Sequence, residues 1–249
     1  MKKLSMAVAV SSIALVAPGL AAADTFNYVS VKGGWAQVRD NHFDQRDSVL
    51  RDDDPRENFS SRVETSYDDG FLGAIALGRQ YDQGRRFNVR AEVELGYQAA
   101  DVNRHIQTVT ETETNPNVPR TDSVDRPGGS DGDFTTIYTF ASLYGEQDLD
   151  ILDNLSFIFG AGAGFGQITF DDFGANLGDG FVVLMDDSDI SPGYHLTTGW
   201  AYHVDERISL EATYRYMAFE DVGLEAEDGK STRQRIDSHN FMAGVRFGF

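Results

Sequence analysis

The last fourteen residues of the sequence, 236–249, alternate between two kinds of side chain. From Phe241 to Phe249 every second residue is apolar or aromatic, whereas the residues between them include two glycines and Arg246. A period of two predicts a β-strand with unlike faces. A strand that turns several aromatic side chains outward needs an apolar environment around the sheet, because such side chains are poorly accommodated by water. Lipid supplies that environment, and roughly 9 to 11 residues are enough to cross a bilayer as a strand.

Seven further segments alternate in the same way, so the sequence predicts eight strands. The clearest is 87–99, where Val93 and Leu95 on one face alternate with Glu92 and Glu94 on the other. In the fourth strand both faces are apolar, and the inward face cannot be assigned. The predicted strands are 26–38, 71–81, 87–99, 134–146, 156–170, 194–204, 208–217 and 236–249. An even number of strands closes a single-chain antiparallel barrel with both ends of the chain on the same side.

The connections between these strands alternate in length. Three are short, at 82–86, 147–155 and 205–207. Four are long, at 39–70, 100–133, 171–193 and 218–235. Long loops at one rim and short turns at the other are typical of outer-membrane barrels. The predicted fold is therefore all-β, an eight-stranded antiparallel up-and-down transmembrane β-barrel with four long external loops and three short periplasmic turns.

The start of the sequence has the pattern of a secretory signal peptide. Lys2 and Lys3 precede an apolar run that ends near Leu20, and three alanines follow. This run is too short for a transmembrane helix, which needs roughly 20 residues. We expect cleavage after Ala23, so the predicted organisation is a signal peptide at 1–23 and an outer-membrane β-barrel domain at 24–249. The sequence contains no cysteine, so no disulfide framework is expected.

Charged residues on the inward faces predict a network inside the barrel, because eight strands enclose only enough space for their own side chains. Counting from the short turns places Arg90 level with Glu211 on the opposite strand. The same count places Glu94 level with Arg215. The glycines of 156–170 are expected to leave room for these long side chains. The alternative is that the charged residues line a small water-filled space. The predicted interior network is Lys32, Arg90, Glu92, Glu94, Glu211, Arg215 and Arg246.

Several features together resemble one class of membrane protein. They are the signal peptide, residues 28–35, the Gly-Ala run at 160–164, residues 210–216 and the terminal strand. The chain is similar to eight-stranded outer-membrane barrels of the OmpA-like and opacity-protein class, which are small porin-like surface antigens of Gram-negative bacteria. The resemblance implies location in the cell outer membrane. It also implies that the terminal strand is the signal for the outer-membrane assembly machinery, a role that falls on Phe241, Val245, Phe247 and Phe249. We expect no peptidoglycan-binding domain of the kind found in full OmpA proteins.

The charge of the chain limits its partners. With 40 acidic and 21 basic residues the formal net charge is −19, which argues against nucleic acid. Acidic clusters at 52–54, 171–172 and 186–187 fall in predicted loops. Such clusters could bind divalent cations at the lipopolysaccharide surface, because Ca²⁺ and Mg²⁺ prefer oxygen ligands. We interpret them instead as solvated charge, because none has the spacing of an EF-hand, and no metal or cofactor is predicted. The leading prediction is a monomeric structural or surface-interaction protein without catalytic activity. Its expected partners are outer-membrane lipids and lipopolysaccharide, with an extracellular ligand as a further partner of the loops.

Two other functions stay open. A lipid A-modifying enzyme would need a nucleophile, a histidine and an acid on the lipid-facing side. Only His239 is expected to face outward near the rim, with Asp237 on the same face but no serine two residues away. The other histidines are expected in loops or facing inward: His42, His105, His195 and His203. A narrow small-solute pore is the third possibility, if inward glycine and alanine leave a water path. Trp35, Tyr97, Tyr194 and Tyr202 are predicted to lie in aromatic girdles at the membrane interfaces.

Overall fold

A computed structural model describes residues 25–39, 41–47, 58–82, 86–112, 121–124, 130–149, 154–176, 181–225 and 231–249. The predicted signal peptide and the acidic cluster at 52–54 lie outside these ranges. The described residues form eleven strands and contain no helix long and apolar enough to cross a membrane. The strands are β1 (Thr25–Val38), β2 (Asn41–Asp47), β3 (Asn58–Tyr67), β4 (Gly70–Asp82), β5 (Phe87–Thr112), β6 (Thr121–Val124), β7 (Ser130–Asp148), β8 (Leu155–Asn176), β9 (Phe181–His203), β10 (Ile208–Glu225) and β11 (Ser231–Gly248).

Eight of these strands form a closed antiparallel ring in the order β1, β4, β5, β7, β8, β9, β10 and β11. The pairing of β1 with β11, in which Val31 lies opposite Val245, closes the ring. The predicted eight-stranded barrel is thus confirmed. The other three strands extend it at one end: β3 pairs with β2 and with the outer part of β5, and β6 also pairs with β5.

The barrel strands are longer than the alternation of side chains predicted. β5 continues to Thr112, and β8 and β9 remain paired as far as Asn176 and Phe181. Much of the four segments predicted as long loops is therefore strand. The prediction ended each strand where the apolar face ended. Backbone hydrogen bonds between strands do not require an apolar face, so the ladder continues through polar sequence.

The two ends of the barrel differ. At the turn end, which comprises the connections after β4, β7 and β9, consecutive strands are joined by short segments such as Val204 to Arg207. At the opposite loop end, the strands project past the apolar outer belt. That belt consists of outward side chains that are exposed although they are large and apolar, such as Leu77 at 65% and Phe165 at 62%. Such a continuous belt is typical of a wall that faces lipid.

The interior is filled by two different sets of side chains. Nearer the turn end the inward residues are charged and hydrogen-bonded, as described below. Nearer the loop end they form an apolar interior cluster in which Phe140, Phe170 and Phe219 are buried. Rings in this cluster lie close together, with centroids of Phe140 and Phe219 at 5.9 Å. The interior next to the loop end is therefore apolar, and the predicted charge network accounts only for the half next to the turn end.

The inward face of β7 is now assigned. Tyr138, Phe140 and Tyr144 point into the barrel and are at most 3% exposed, whereas Ile137 and Leu143 face outward. Both faces are apolar because the inward aromatic residues help fill the interior while the outward aliphatic residues belong to the belt. The pattern alone could not separate these two environments.

Candidate functional site

The charged residues nearest the turn end form one layer inside the barrel. Arg90 Nη1 donates a hydrogen bond to Glu211 Oε1 at 2.6 Å, the pair that the sequence predicted. Arg246 donates two parallel hydrogen bonds to Glu146, at 2.8 and 3.1 Å. Arg90 Nε also lies 3.4 Å from Glu146 Oε2. Two guanidinium groups therefore share Glu146, and this layer joins β5, β7, β10 and β11.

A second layer lies next to it on the side of the loop end. Lys32 Nζ contacts Glu92 and lies 2.8 Å from Glu94 Oε2. Arg215 makes a bidentate interaction with Glu94, in which Nη2 donates to Oε2 at 3.1 Å. This second predicted pair is also present in the structure. Glu94 therefore accepts from two cations and has no exposed side-chain surface.

We call these eight residues the interior charge cluster: Lys32, Arg90, Glu92, Glu94, Glu146, Glu211, Arg215 and Arg246. Each is at most 8% exposed. The cluster contains four cations and four carboxylates, so its formal charges balance. A buried charge is tolerated only when it is paired and hydrogen-bonded, and the balance of signs together with the bidentate geometry meets that condition.

Inward tyrosines complete the hydrogen bonding of the cluster. Tyr28 OH donates to Glu92 Oε2 at 3.0 Å, and Arg215 Nη2 donates to Tyr144 OH at 3.2 Å. The guanidinium of Arg90 also lies 5.1 Å from the centre of the Tyr144 ring, within the range of a cation–π interaction. The sequence prediction omitted these tyrosines and Glu146. Glu146 lies at the end of the fourth predicted strand, whose faces could not be assigned, so no inward position was available for it.

The inward glycines have a different role from the predicted one. A Cβ atom on Gly160 would lie 2.2 Å from the Tyr144 ring, and one on Gly162 would lie 2.4 Å from His195 Nε2. The space beside Gly160, Gly162 and Gly166 is therefore taken by ring side chains rather than by the long charged ones, and that beside Gly164 by the β7 backbone. The same close approach occurs between Gly96 and Tyr138.

Two inward histidines have neighbours that do not suit catalysis at the lipid face. His195 is fully buried, with Nε2 2.8 Å from Ser142 Oγ and Nδ1 3.0 Å from Thr197 Oγ1. His203 lies at the turn end, where Nε2 is 3.0 Å from Glu146 Oε1 and 2.9 Å from Ser156 Oγ. His42 and His105, predicted in loops, belong to β2 and β5 instead.

The outward histidine, His239, lies at the loop end of the belt. Its Nδ1 atom is 2.6 Å from Tyr214 OH. Asp237, the acid expected beside it, lies instead 3.6 Å from Arg39 Nη1. No described contact supplies His239 with a nucleophile and an acid together.

A second outward group surrounds Arg235, which precedes His239 by four residues on β11. Arg235 Nη2 donates to Tyr194 OH at 2.8 Å and to Tyr216 OH at 2.5 Å, and Nη1 lies 3.4 Å from Glu220 Oε1. A β-bulge in β10 between Phe219 and Val222 brings Glu220 opposite Arg235. This arrangement fixes a half-exposed guanidinium just beyond the apolar belt.

On the opposite side of the barrel the outer wall is acidic. Asp101, Asp133 and Asp171 are directly opposite one another in the register of β5, β7 and β8, and all three are exposed. Like charges directly opposite each other destabilise a sheet. Among the residues whose side chains the structure describes, no group of three or more His, Cys, Asp or Glu is arranged to hold a metal ion.

The residues of the predicted assembly signal lie on the outer face of β11. Phe241, Phe247 and Phe249 are 59%, 42% and 72% exposed, and Val245 is partly exposed between them. Phe241 packs against Tyr214 with ring centroids at 5.3 Å, and Trp35 on β1 is its partner in the register. These contacts show where the side chains lie, and their role in assembly stays a prediction.

A family model described as "Outer membrane protein beta-barrel domain" matches residues 6–249. No curated protein sequence matches the chain. The chain is similar to the crystal structure of Neisserial surface protein A, with 20% identity, coverage of 90% of this chain and 97% of that chain, and a TM-score of 0.48. It is also similar to outer membrane protease OmpT from Escherichia coli, with 8% identity, the same two coverages and a TM-score of 0.45. A third similar structure is that of the outer membrane protein OprG from Pseudomonas aeruginosa, with 12% identity, coverage of 90% of this chain and 96% of that chain, and a TM-score of 0.39.

Proposed function

The chain belongs to the outer-membrane β-barrel family and lies in the cell outer membrane, and from that premise we propose that its role is structural or surface-interacting. The active part would be the outer wall and connections at the loop end, which face the exterior in barrels of this kind. The observation that carries the proposal is the row of Asp101, Asp133 and Asp171. Three exposed aspartates in register give this wall a local negative charge suited to a cationic extracellular partner.

The filling of the interior supports this role over conduction. Next to the turn end the space is filled by the interior charge cluster, and next to the loop end by the apolar interior cluster. An eight-stranded barrel filled by its own side chains is a rigid support rather than a channel. The apolar interior cluster reaches the level of the projecting strands through Phe134, Phe170 and Ile236. The rigid support therefore continues beyond the membrane.

The lipid contacts would come from the belt and from the group around Arg235. A guanidinium held between two tyrosine hydroxyls just beyond the belt is at the height of lipid headgroups, including the phosphates of lipopolysaccharide. We further propose that β11 is read by the assembly machinery and that the barrel is monomeric. A catalytic role draws no support from His239, whose described partner is a tyrosine.

The proposed surface role is tested by binding of a polycationic probe, polylysine, to the protein in lipid nanodiscs. Replacing Asp101, Asp133 and Asp171 together by asparagine should weaken binding and reduce its salt dependence, since three screened charges are lost. The control is Glu206→Gln, which removes an exposed charge at the turn end. Equal binding by the triple variant and the wild type would contradict the proposal.

Conduction and lipid A modification are tested separately. Single-channel recordings in planar bilayers should show no conductance steps for the wild-type protein. Mass spectra of lipid A from cells with and without the protein should be identical. Conductance steps or a change in acylation would each replace the proposed role by the corresponding alternative.

A further inference from the structure

One arginine lies at the border between the apolar belt and the turn end. Arg79 is on the outward face of β4 and is exposed. The next outward residue towards the loop end is Leu77, which belongs to the belt, and the next one towards the turn end is Tyr81. Because the turn end faces the periplasm in outer-membrane barrels, Arg79 lies at the height of the lipid headgroups of the periplasmic leaflet.

The guanidinium of Arg79 is held in place but is not neutralised. Its Nη2 atom donates to Thr25 Oγ1 at 3.0 Å, and its Cζ atom lies 5.8 Å from the centre of the Tyr81 ring. Both partners are uncharged, and no carboxylate forms an ion pair with Arg79 among the residues that the structure describes. By contrast, Arg235 at the loop end has a carboxylate partner in Glu220. The charge of Arg79 and its remaining N–H groups are therefore available to an anion.

An apolar groove of about 480 Å³ lies near this arginine on the outer wall. This volume is within the range of small-molecule binding sites, roughly 300 to 1,000 Å³. Its lining includes small residues between larger apolar ones: Val89, Leu143, Gly145, Phe159 and Ala161. Val89 is opposite Tyr81 in the register of β4 and β5. The groove therefore begins on the strand next to the one that holds Arg79.

The groove extends from headgroup height into the membrane. Counted from the strand ends at the turn end, Arg79 is the fourth residue, Leu143 the sixth and Ala161 the seventh. Leu143 and Phe159 are exposed on the outer face, so the groove is open to lipid. An acyl chain in the groove would start beside the guanidinium and point towards the middle of the bilayer.

We propose that this part of the wall retains one anionic phospholipid of the periplasmic leaflet. Its phosphate would accept from Arg79, since a guanidinium often binds phosphate through two parallel hydrogen bonds. Asn27, which is exposed and opposite Arg79 in the register of β1 and β4, offers a carboxamide donor beside it. One acyl chain would lie in the groove. The site goes beyond the proposed surface role and is at the opposite end of the barrel from the acidic wall, so the two can fail independently.

The lipid is tested by native mass spectrometry of the whole protein in a nonionic detergent, titrated with dioleoyl phosphatidylglycerol or dioleoyl phosphatidylcholine. We expect one phosphatidylglycerol per barrel, bound about tenfold more tightly than phosphatidylcholine, whose ammonium group offsets its phosphate. Arg79→Gln should weaken phosphatidylglycerol binding about tenfold, the equivalent of about 1.4 kcal/mol. Arg207→Gln is the matched control, because it removes an exposed cation from the turn end with the same change in net charge.

A second pair of variants tests the groove. Ala161→Phe places a ring within the groove and should weaken phosphatidylglycerol binding severalfold. Ala163→Phe adds the same ring two residues further along the exposed face of β8, outside the groove, and should have no effect. Both new side chains point to lipid, so the barrel should still fold, and every variant is first checked for the heat-dependent gel shift of a folded barrel.

The proposal is overturned if phosphatidylglycerol and phosphatidylcholine bind equally well to the wild-type protein. Equal loss of binding in Arg79→Gln and Arg207→Gln would overturn it as well, since the attraction would then come from net charge alone. Displacement of phosphatidylglycerol by inorganic phosphate would also overturn it, because Arg79 would then bind a free anion rather than a lipid.

Discussion

Replacing Glu94 by glutamine tests the interior charge cluster most directly. Glu94 is fully buried and accepts hydrogen bonds from Lys32 Nζ at 2.8 Å and from Arg215 Nη2 at 3.1 Å. Glutamine keeps the volume and one acceptor oxygen but removes the charge. The cluster would then contain four cations and three carboxylates in a space without bulk water.

The expected loss of stability follows from this geometry. Removing one partner of a buried ion pair costs about 3 to 5 kcal/mol, because the remaining charge is left uncompensated. Glutamine still accepts one hydrogen bond, so we expect a value near the lower end, about 3 kcal/mol. Replacing an exposed glutamate provides the comparison for this loss of stability, because surface ion pairs contribute only about 0 to 1 kcal/mol to the free energy of unfolding.

The assay is urea unfolding in lipid vesicles, followed by the gel mobility of unheated samples. Glu94→Gln should lower the urea midpoint with little change in slope, because the exposed area on unfolding is unchanged. Glu206→Gln in the exposed turn should leave the midpoint where it is. In a double-mutant cycle, Glu94→Gln and Arg215→Gln should show a coupling energy of about 0.5 to 3 kcal/mol. A Glu94→Gln midpoint equal to that of the wild type would refute the argument.

Three further outcomes are expected. Gly96→Ala should destabilise the barrel by about 1 to 3 kcal/mol, because the new Cβ would lie 2.2 Å from the Tyr138 ring. Gly33→Ala should be nearly neutral, because the atom nearest to its new Cβ is 3.8 Å away. The urea midpoints of the two variants are the measurement, and equal midpoints would contradict this expectation. Asp133→Asn should raise stability by about 0.2 to 1 kcal/mol at low salt by removing like-charge repulsion across the strands, an effect that should fade when salt is added. Deleting Phe249 should reduce insertion into the outer membrane in a cell-fractionation experiment, and unchanged insertion would argue against the assembly signal.

The strands that cross the membrane could be predicted from sequence because each has one lipid-facing side. In β5, for example, Val93 and Leu95 alternate strictly with Glu92 and Glu94, and both the strand and its inward face were identified. The pairs of Arg90 with Glu211 and of Glu94 with Arg215 followed from counting residues, since opposite strands start from turns at the same end.

What could not be predicted depended on contacts between distant parts of the chain. The role of Glu146 required the facing of β7, and both faces of β7 are apolar. The continuation of β5 to Thr112 depends on backbone pairing with β3, β6 and β7, which no side-chain period records.

The connectivity of the interior charge cluster has a consequence for how the barrel forms. Lys32 on β1 contacts carboxylates on β5, two places around the ring. Arg215 on β10 reaches β5, and Arg246 on β11 reaches β7, each across the full width of the barrel. The Lys32 pairs need only β1, β4 and β5, but the two pairs across the barrel cannot form within a hairpin or an open sheet. An incomplete barrel would therefore hold unneutralised charges, and neutralisation comes only with closure, so insertion and closure should behave as a single cooperative step.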